Sequence, residues 1–142
     1  MYELAAAMGG LLLLAWLLSS LVRSKLTPEQ KHSLRQIRSW PPIGLREFVS
    51  LMGGEVDEEV AAEVLKEVAR EADVKPECLR PHDRLVEDLA FCTVDALDLT
   101  SVILGQERKF GVRIGDEEAT SVRTVGDLVR LFDEKRRSAE AG

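Results

Sequence analysis

Residues 4 to 22 form an unbroken run without a charged side chain, and this run limits the folds open to the chain more than any other feature. Its 19 residues would extend about 28 Å as a helix, close to the roughly 30 Å hydrocarbon core of a bilayer. The alternative is a secretory signal peptide, which needs a basic start, a shorter apolar stretch and a small-residue cleavage site. Glu3 precedes the run and cations follow it, so we predict an uncleaved transmembrane helix over residues 1–22.

Positive charge is concentrated directly after this run. Residues 23–46 hold six lysines and arginines against the single acid Glu29, whereas residues 47–142 hold 13 cations against 23 acids. Cations at one end of a span favour the cytoplasmic side, so we predict a single-pass membrane protein with its N-terminus outside and its C-terminal domain cytoplasmic. Residues 4–22 and the basic segment 23–46 are the predicted membrane contacts. The acidic remainder argues against nucleic acid as a partner.

A short helix is predicted within residues 23–54. Thr27-Pro28-Glu29-Gln30 combines a capping hydroxyl, a proline at the first helical position and a glutamine three residues after the cap, which is a capping box. The helix should end near Arg38, because Pro41 disfavours helical backbone at the residue before it. The apolar patch from Trp40 to Met52 either contacts a membrane or partner, or packs onto the next domain, which is the preferred interpretation. Gly53-Gly54 marks the boundary with that domain.

Residues 55–137 are predicted to form a small bundle of four helices, followed by a tail over residues 138–142. The predicted helices cover residues 58–72, about 93–110, 116–119 and 125 to about 137. Asp57 and Thr124 are the predicted N-caps of the first and last helix, and Gly111 suits the C-terminal end of the second. No run alternates strictly enough to predict a strand. The predicted fold class is therefore all-α, with a transmembrane helix and a juxtamembrane helix before the four-helix bundle.

Five short motifs in this bundle occur in the order of an acyl carrier protein. They are Val86-Glu87-Asp88-Leu89, Asp95 with Leu97, Phe110-Gly111-Val112, Asp116-Glu117-Glu118-Ala119 and Thr124-Val125. Residues 57–134 therefore resemble the acyl carrier protein family. The resemblance implies a carrier-type helical bundle that is not itself an enzyme and that serves enzymes of acyl and lipid metabolism. The stretch between Leu89 and Asp95 is longer than in typical carriers and includes Phe91-Cys92.

Position 96 is the main departure from this family. The resemblance implies a serine there, between an aspartate and a leucine at a helix start, to which a 4'-phosphopantetheine arm is esterified. The triplet here is Asp95-Ala96-Leu97, and the alanine methyl group has no oxygen to esterify, so no cofactor is predicted. The nearby hydroxyls are Thr93, Thr100 and Ser101. Ser101 lies five residues after Ala96 and about 140° around the helix, which makes it a poor substitute.

Acidic side chains around this helix start are the predicted partner-binding residues. They are Asp95, Asp98, Glu107, Glu87 and Asp88. The resemblance implies that such acids bind basic patches on partner enzymes. Arg108 and Lys109 interrupt the acidic stripe, and a merely solvated helix face is an alternative of equal standing.

The remaining reactive side chains do not form a recognisable active site. Cys78 and Cys92 have the spacing of neither a metal site nor a redox pair. His32 and His82 are isolated in different segments, and His82 beside Asp83 has no nucleophile next to it. No phosphate loop, metal-ligand cluster or dinucleotide fingerprint is present in the sequence. We therefore predict no catalytic residue and no metal ligand.

Three functions are compatible with the sequence. The preferred one is a membrane-anchored, carrier-like module without its own arm, which docks or regulates enzymes of lipid or fatty-acyl metabolism at the cytoplasmic face. The second is a genuine acyl carrier protein whose arm is attached to a non-standard hydroxyl. The third is a purely structural adaptor in a membrane complex.

Overall fold

A computed structural model describes residues 14, 17, 27–91 and 97–141 of the chain, without the side chains of residues 97 and 98. Its helices are α1 Pro28–Ser39, α2 Leu45–Leu51, α3 Glu58–Ala72, α4 Leu97–Phe110, α5 Asp116–Ser121 and α6 Val125–Ala141, with a 3-10 turn at Pro76–Cys78. These residues contain no β-strand, only an isolated antiparallel bridge between Arg84 and Thr124. The predicted all-α class is confirmed.

The prediction of a single-pass membrane protein, with its N-terminus outside and its C-terminal domain cytoplasmic, is wrong. A bilayer span needs about 20 consecutive apolar residues in one helix, and no helix in the described part of the chain is both long and apolar enough. The longest of these helices, α6, has 17 residues and carries many charged side chains. Of the predicted span over residues 1–22, only Leu14 and Leu17 lie inside the described residues, and both are helical and exposed.

Polar side chains close the N-terminal ends of α1, α3 and α6 as the sequence predicts. At α1, the Gln30 amide donates to Thr27 Oγ1 over 3.2 Å, and the Gln30 side chain accepts from the Thr27 amide over 3.1 Å. Asp57 Oδ1 accepts from the second backbone amide after it over 2.8 Å. The Asp127 amide donates to Thr124 Oγ1, and Asp127 Oδ2 accepts from the Thr124 amide, both over 3.1 Å. Each cap satisfies amides that have no partner inside the helix, which is why these starts can be predicted locally.

The hydrophobic core is organised around α3, which packs against α2, α4 and α6. Its buried stripe recurs at three- and four-residue spacing and comprises Val60, Val64, Leu65, Val68 and Ala72. The opposing helices contribute buried side chains, among them Val102 from α4 and Phe132 from α6. The core thus fixes α4 and α6 side by side on α3.

The first two helices belong to the same core. Leu34 and Ile37 of α1 and Phe48 and Val49 of α2 are all buried in one cluster with the side chains of α3. Among the apolar residues of α2, Leu51 is instead exposed, with 59% of its surface accessible. The preferred interpretation of the apolar patch, packing onto the domain that follows, is therefore confirmed. Residues 27–52 are called the N-terminal extension below.

The last helix runs further than the sequence predicts. α6 continues to Ala141, through residues assigned to a tail. Charged pairs one turn apart support this end: Arg137 binds Asp133 over 3.1 Å and Arg136 binds Glu140 over 3.2 Å. Asp133 also accepts from the Asp57 amide over 3.2 Å, which joins α6 to the start of α3.

Candidate docking and attachment site

The structure describes both sides of position 96 but not the position itself. Cys92, Thr93, Asp95 and Ala96 lie outside the described residues, as does the side chain of Asp98. The described neighbours of this position are the loop of residues 79–91, which leads to it, and α4, which follows it. These two elements would carry any surface that presents residue 96.

The loop before position 96 is fastened to the start of α6 by backbone hydrogen bonds. The Leu85 amide donates to the Arg123 carbonyl over 2.9 Å, and the Val125 amide donates to the Asp83 carbonyl over 3.0 Å. The Gly126 amide donates to the Pro81 carbonyl over 2.8 Å. A Cβ atom at Gly126 would lie only 2.9 Å from that carbonyl oxygen, so this close approach requires glycine.

A tight ion pair organises the predicted docking segment. Asp88 Oδ2 accepts from the Arg84 amide over 2.8 Å, and the guanidinium of Arg84 binds both carboxylate oxygens over 3.2 Å. Burial acts to raise the pKa of Asp88, but the hydrogen bonds and charge of Arg84 outweigh it and lower that pKa. The charge of Asp88 is therefore largely satisfied within the loop. Glu87, in contrast, is exposed and forms no ion pair with another described residue.

A buried carboxyl group lies at the base of the same loop. Asp83 is 2% exposed, and its carboxylate accepts from the Arg80 amide over 2.7 Å. Burial raises the pKa of Asp83, in part against the hydrogen bond from Arg80 and the charges of His82 and Arg80. The His82 ring lies against Trp40, with ring centroids 6.0 Å apart. This arrangement gives Asp83 a structural hydrogen bond, and no nucleophile among the described residues is placed beside it.

The outward face of α4 includes Glu107, the one other predicted docking residue whose side chain the structure describes. Thr100, Ser101, Leu104 and Arg108 are exposed, with 45% of Leu104 accessible, while Glu107 is half-buried. This face is therefore mixed in polarity and charge. It has an apolar side chain at its centre, with a basic residue at its C-terminal end.

The hydroxyl of Ser101 is already engaged. It donates to Glu71 Oε1 on α3 over 3.4 Å, and Lys109 forms an ion pair with Glu63 further along the same seam between α3 and α4. Ser101 therefore belongs to a helix–helix contact at the side of α4. It does not lie at the helix start, where the resemblance implies an attachment serine.

Two features of this region were not predicted from the sequence. The first is Gln106, which is 0% exposed, donates to the Glu63 carbonyl over 3.4 Å and has no partner for its own Oε1 among the described residues. The second is the contact between the N-terminal extension and the loop: Gln30 Nε2 donates to the Val86 carbonyl over 3.2 Å. These residues are 56 positions apart, and no local pattern signals such a contact.

The N-terminal extension also contacts the N-terminal end of the loop. The Arg80 guanidinium lies 5.3 Å from the centre of the Trp40 ring and donates to the Pro41 carbonyl over 2.5 Å. The Ile43 amide donates to the Glu77 carbonyl over 2.9 Å. The loop is thus held by α6 on one side and by the extension on the other.

A shallow apolar groove of about 200 Å³ lies where the extension meets α3 and the 3-10 turn. Its lining includes Ile43, Leu45, Phe48, Leu65 and Leu79. No residue of α4 or of the segment 84–91 lines it. Of the 79–91 loop, only Leu79 lines this groove.

Comparison with known proteins identifies the family. No protein-family model matches the chain. The chain is 38% identical over 66 residues to the acyl carrier protein of Wolinella succinogenes, which is 46% of this chain and 83% of that protein. The chain belongs to the acyl carrier protein family. Because members of this family are carriers, the prediction that the chain is not an enzyme is confirmed.

Other relatives give the same result. The acyl carrier protein of Chlamydia trachomatis serovar D is 36% identical over 63 residues, covering 44% of this chain and 78% of that protein. The meromycolate extension acyl carrier protein of Mycobacterium leprae is 32% identical over 88 residues, covering 59% and 74%. The matched lengths leave a large part of this carrier-family chain outside each comparison.

Proposed function

We propose that this chain is a carrier-type module that has no phosphopantetheine arm of its own and binds enzymes of acyl or lipid metabolism. Its surface for those enzymes is formed by the loop of residues 84–88 and the start of α4. The observation that carries the proposal is an alanine at position 96 in a chain of the acyl carrier protein family. The proposed role keeps the recognition surface of a carrier without its covalent cargo.

The chemistry of attachment supports the first part of the proposal. Forming the phosphodiester requires a side-chain oxygen that attacks the phosphorus of the donor, and the Ala96 methyl group supplies none. The hydroxyl of Ser101, the serine nearest in sequence, donates a hydrogen bond to Glu71 at the α3–α4 seam. Thr100 is exposed but lies four residues beyond position 96, inside α4. Neither hydroxyl lies at the start of the helix.

The docking part is supported by what remains available on the surface. Glu87 is exposed and without an ion pair among the described residues, and Leu104 offers an apolar centre on the neighbouring helix. Asp88 contributes less, because Arg84 binds its carboxylate. Interfaces of this kind combine a small apolar anchor with rim charges that steer association. We therefore assign Glu87 and, from the sequence, Asp95 and Asp98 the main electrostatic part.

Intact-mass measurement tests the missing arm. The full chain is co-expressed with a phosphopantetheinyl transferase, beside the variant Ala96→Ser. We expect the wild type to keep its unmodified mass and Ala96→Ser to gain the mass of one phosphopantetheine arm. A modified wild type would overturn the proposal, and Thr93→Ala, Thr100→Ala and Ser101→Ala would then locate the arm. An unmodified but folded Ala96→Ser protein would contradict a carrier-like presentation of residue 96.

The same variant makes the docking surface measurable. A transferase must dock before it can load Ala96→Ser, so its loading rate reports on the surface. We expect Glu87→Lys in this background to lower the rate at low salt by about three- to tenfold, since rim charges act on association. Glu117→Lys, an equal charge change at an exposed residue of α5, is the matched control and should leave the rate nearly unchanged. Equal effects of the two changes would remove Glu87 from the docking surface.

A further inference from the structure

Residues 84–91, called the Glu87 turn below, contain a residue with an unusual backbone conformation. The Asp88 amide donates to the Arg84 carbonyl, and the Ala90 amide donates to the Val86 carbonyl, both over 3.1 Å. Ala90 has a φ angle of 60°, in the left-handed region where the Cβ atom of an alanine crowds the backbone. Glycine usually occupies this position at the end of such a turn. A strained residue of this kind persists only where surrounding contacts hold it.

Gln30 of α1 supplies one of those contacts. Its Nε2 donates to the Val86 carbonyl over 3.2 Å. The two lone pairs of this oxygen therefore serve both Gln30 and the Ala90 amide. The Oε1 of the same side chain accepts from the Thr27 amide over 3.1 Å. One side chain thus joins the capping box of α1 to the Glu87 turn.

The Glu87 turn buries its apolar side chains and leaves Glu87 outside. Leu85, Leu89 and Phe91 are each at most 3% exposed, whereas Glu87 is exposed. The Phe91 amide donates to the Leu85 carbonyl over 2.9 Å, which closes the turn. Because the residues on both sides of Glu87 are fixed in the core, the conformation of the turn determines where its carboxylate lies.

We propose that Gln30 is a positioning residue for docking. By bonding the Val86 carbonyl, it stabilises the strained turn at Ala90 and so fixes the position at which the Glu87 carboxylate meets a partner enzyme. This role rests on the proposed function, in which Glu87 belongs to the docking surface, and it gives the N-terminal extension a part in docking. Because the other side of α1 is buried in the common core, Gln30 acts from a fixed helix.

Hydrogen exchange of the full chain tests whether Gln30 holds the turn. Gln30→Met keeps the length of the side chain but cannot donate to Val86. We expect the Ala90 amide to exchange about three- to tenfold faster in this variant, because it shares that carbonyl. The matched control, Thr27→Ala, removes another hydrogen bond of the same capping box and should change Ala90 exchange by less than about twofold. Unchanged exchange in Gln30→Met, or equal acceleration in the control, would refute the proposal.

Transferase loading tests whether the turn serves docking. In the Ala96→Ser background, we expect Gln30→Met to raise the KM for the chain about threefold with kcat nearly unchanged, since docking is weakened and the chemistry is not touched. Thr27→Ala should alter neither constant. A change in kcat alone, or the same change in both variants, would assign the bond to fold stability only and would contradict a positioning role.

Ala90→Gly provides a rescue of the weakened turn. Glycine adopts the left-handed conformation without the strain of alanine, so the turn should need Gln30 less. Combined with Gln30→Met, it should return the KM to within about twofold of the Ala96→Ser parent. A KM that stays raised would show that the strained turn is not what Gln30 supports, and the proposal would be wrong.

Glu87→Lys separates this proposal from the proposed function on which it rests. If Glu87→Lys slows loading and Gln30→Met does not, the docking surface stands and the positioning role fails. If Glu87→Lys has no effect, the docking surface itself fails, and the positioning role falls with it. In a chain that already carries Glu87→Lys, Gln30→Met should raise the KM by less than about 1.5-fold, because it acts through that carboxylate. A full threefold effect there would overturn the proposal.

Discussion

Two acidic side chains in the loop before position 96 have pKa values that are shifted in opposite directions. Asp83 is buried, and its pKa is raised, whereas Asp88 is bound by Arg84, and its pKa is lowered. An acid with a raised pKa in the fold stabilises the protein most below its ordinary pKa of roughly 3.9, and it loses that contribution as the pH rises. An acid with a lowered pKa contributes above that value and loses its contribution as the pH falls.

The variants Asp83→Asn and Asp88→Asn should therefore respond to pH in opposite directions. Asparagine at position 83 keeps an acceptor for the Arg80 amide and removes the buried charge. Its Tm relative to wild type should rise as the pH increases from about 3.5 to 6. The relative Tm of Asp88→Asn should fall over the same range, because the ion pair with Arg84 forms only when the carboxyl is ionised.

Thermal melts at several pH values check both signs, and each variant serves as the control for the other. Arg80, His82 and Asp88 are the charged neighbours of Asp83, and all three are unchanged in Asp83→Asn. A relative Tm of Asp83→Asn that stays constant or falls with pH would show that its buried carboxyl does not have a raised pKa.

At the scale of helices and loops, the extension is the element that most alters the carrier fold. It supplies Leu34, Ile37 and Phe48 to the common core. It also holds the 79–91 loop at two points, through Gln30 and Trp40. Ordering this loop of 13 residues without regular structure costs conformational entropy. The contacts with the extension add to the burial of Leu79, Leu85, Leu89 and Phe91 in offsetting that cost.

Removing a buried side chain from α1 should destabilise the whole domain. Ile37 is 2% exposed, so Ile37→Ala should lower the free energy of unfolding by about 2–4 kcal/mol. Leu51→Ala, at an exposed leucine of α2, is the matched control and should change it by less than about 0.5 kcal/mol. Urea unfolding is followed by circular dichroism and, in a Trp16→Phe background, by the fluorescence of Trp40.

Coincident transitions by the two probes are the expected result, because α1 shares its core with the bundle. If Trp40 fluorescence changes at lower urea concentration than the dichroism, the extension unfolds on its own. The prediction that the extension and the bundle unfold as one cooperative unit would then be wrong.

The sequence predicts helices better than it predicts their contacts, and the reason is physical. The caps at Thr27, Asp57 and Thr124 act on amides two or three residues away, so a short pattern contains the whole interaction. The bond from Gln30 to Val86 and the stacking of Arg80 on Trp40 depend on long-range packing. Local composition can also mislead. The apolar run over residues 4–22 predicted a membrane span, and no described helix provides one.

In the predicted site, too, the local features could be predicted from the sequence, and the features that depend on long-range contacts could not. The alanine at position 96 can be seen in the sequence alone, and its chemical consequence needs no structure. The sequence could not show that Asp88 is paired while Glu87 is exposed, because only the structure shows that Arg84 binds the carboxylate of Asp88. Ser101 is similar: its spacing suggested a poor substitute, and its bond to Glu71 supplies a structural role.

At the scale of the whole molecule, two separate parts of the fold bind the segment that leads to position 96. α6 holds this segment through Pro81, Asp83 and Leu85, and the extension holds it through Val86 and Arg80. A docking surface gains affinity when it is ordered before the partner binds. The rigidity that these contacts give the segment therefore suits the proposed docking role.

Hydrogen exchange can measure that rigidity directly. The amides of Leu85, Val125 and Gly126 all donate across the loop–α6 contact, so we expect them to exchange within about tenfold of the slowest amides of α3. Trp40→Ala removes the stacking on Arg80 and should speed exchange at Leu85 while leaving the α3 core amides nearly unchanged. Leu51→Ala should alter neither set. Fast exchange of Leu85 in the wild type would show that the loop opens independently, and the docking segment would then not be ordered before a partner binds.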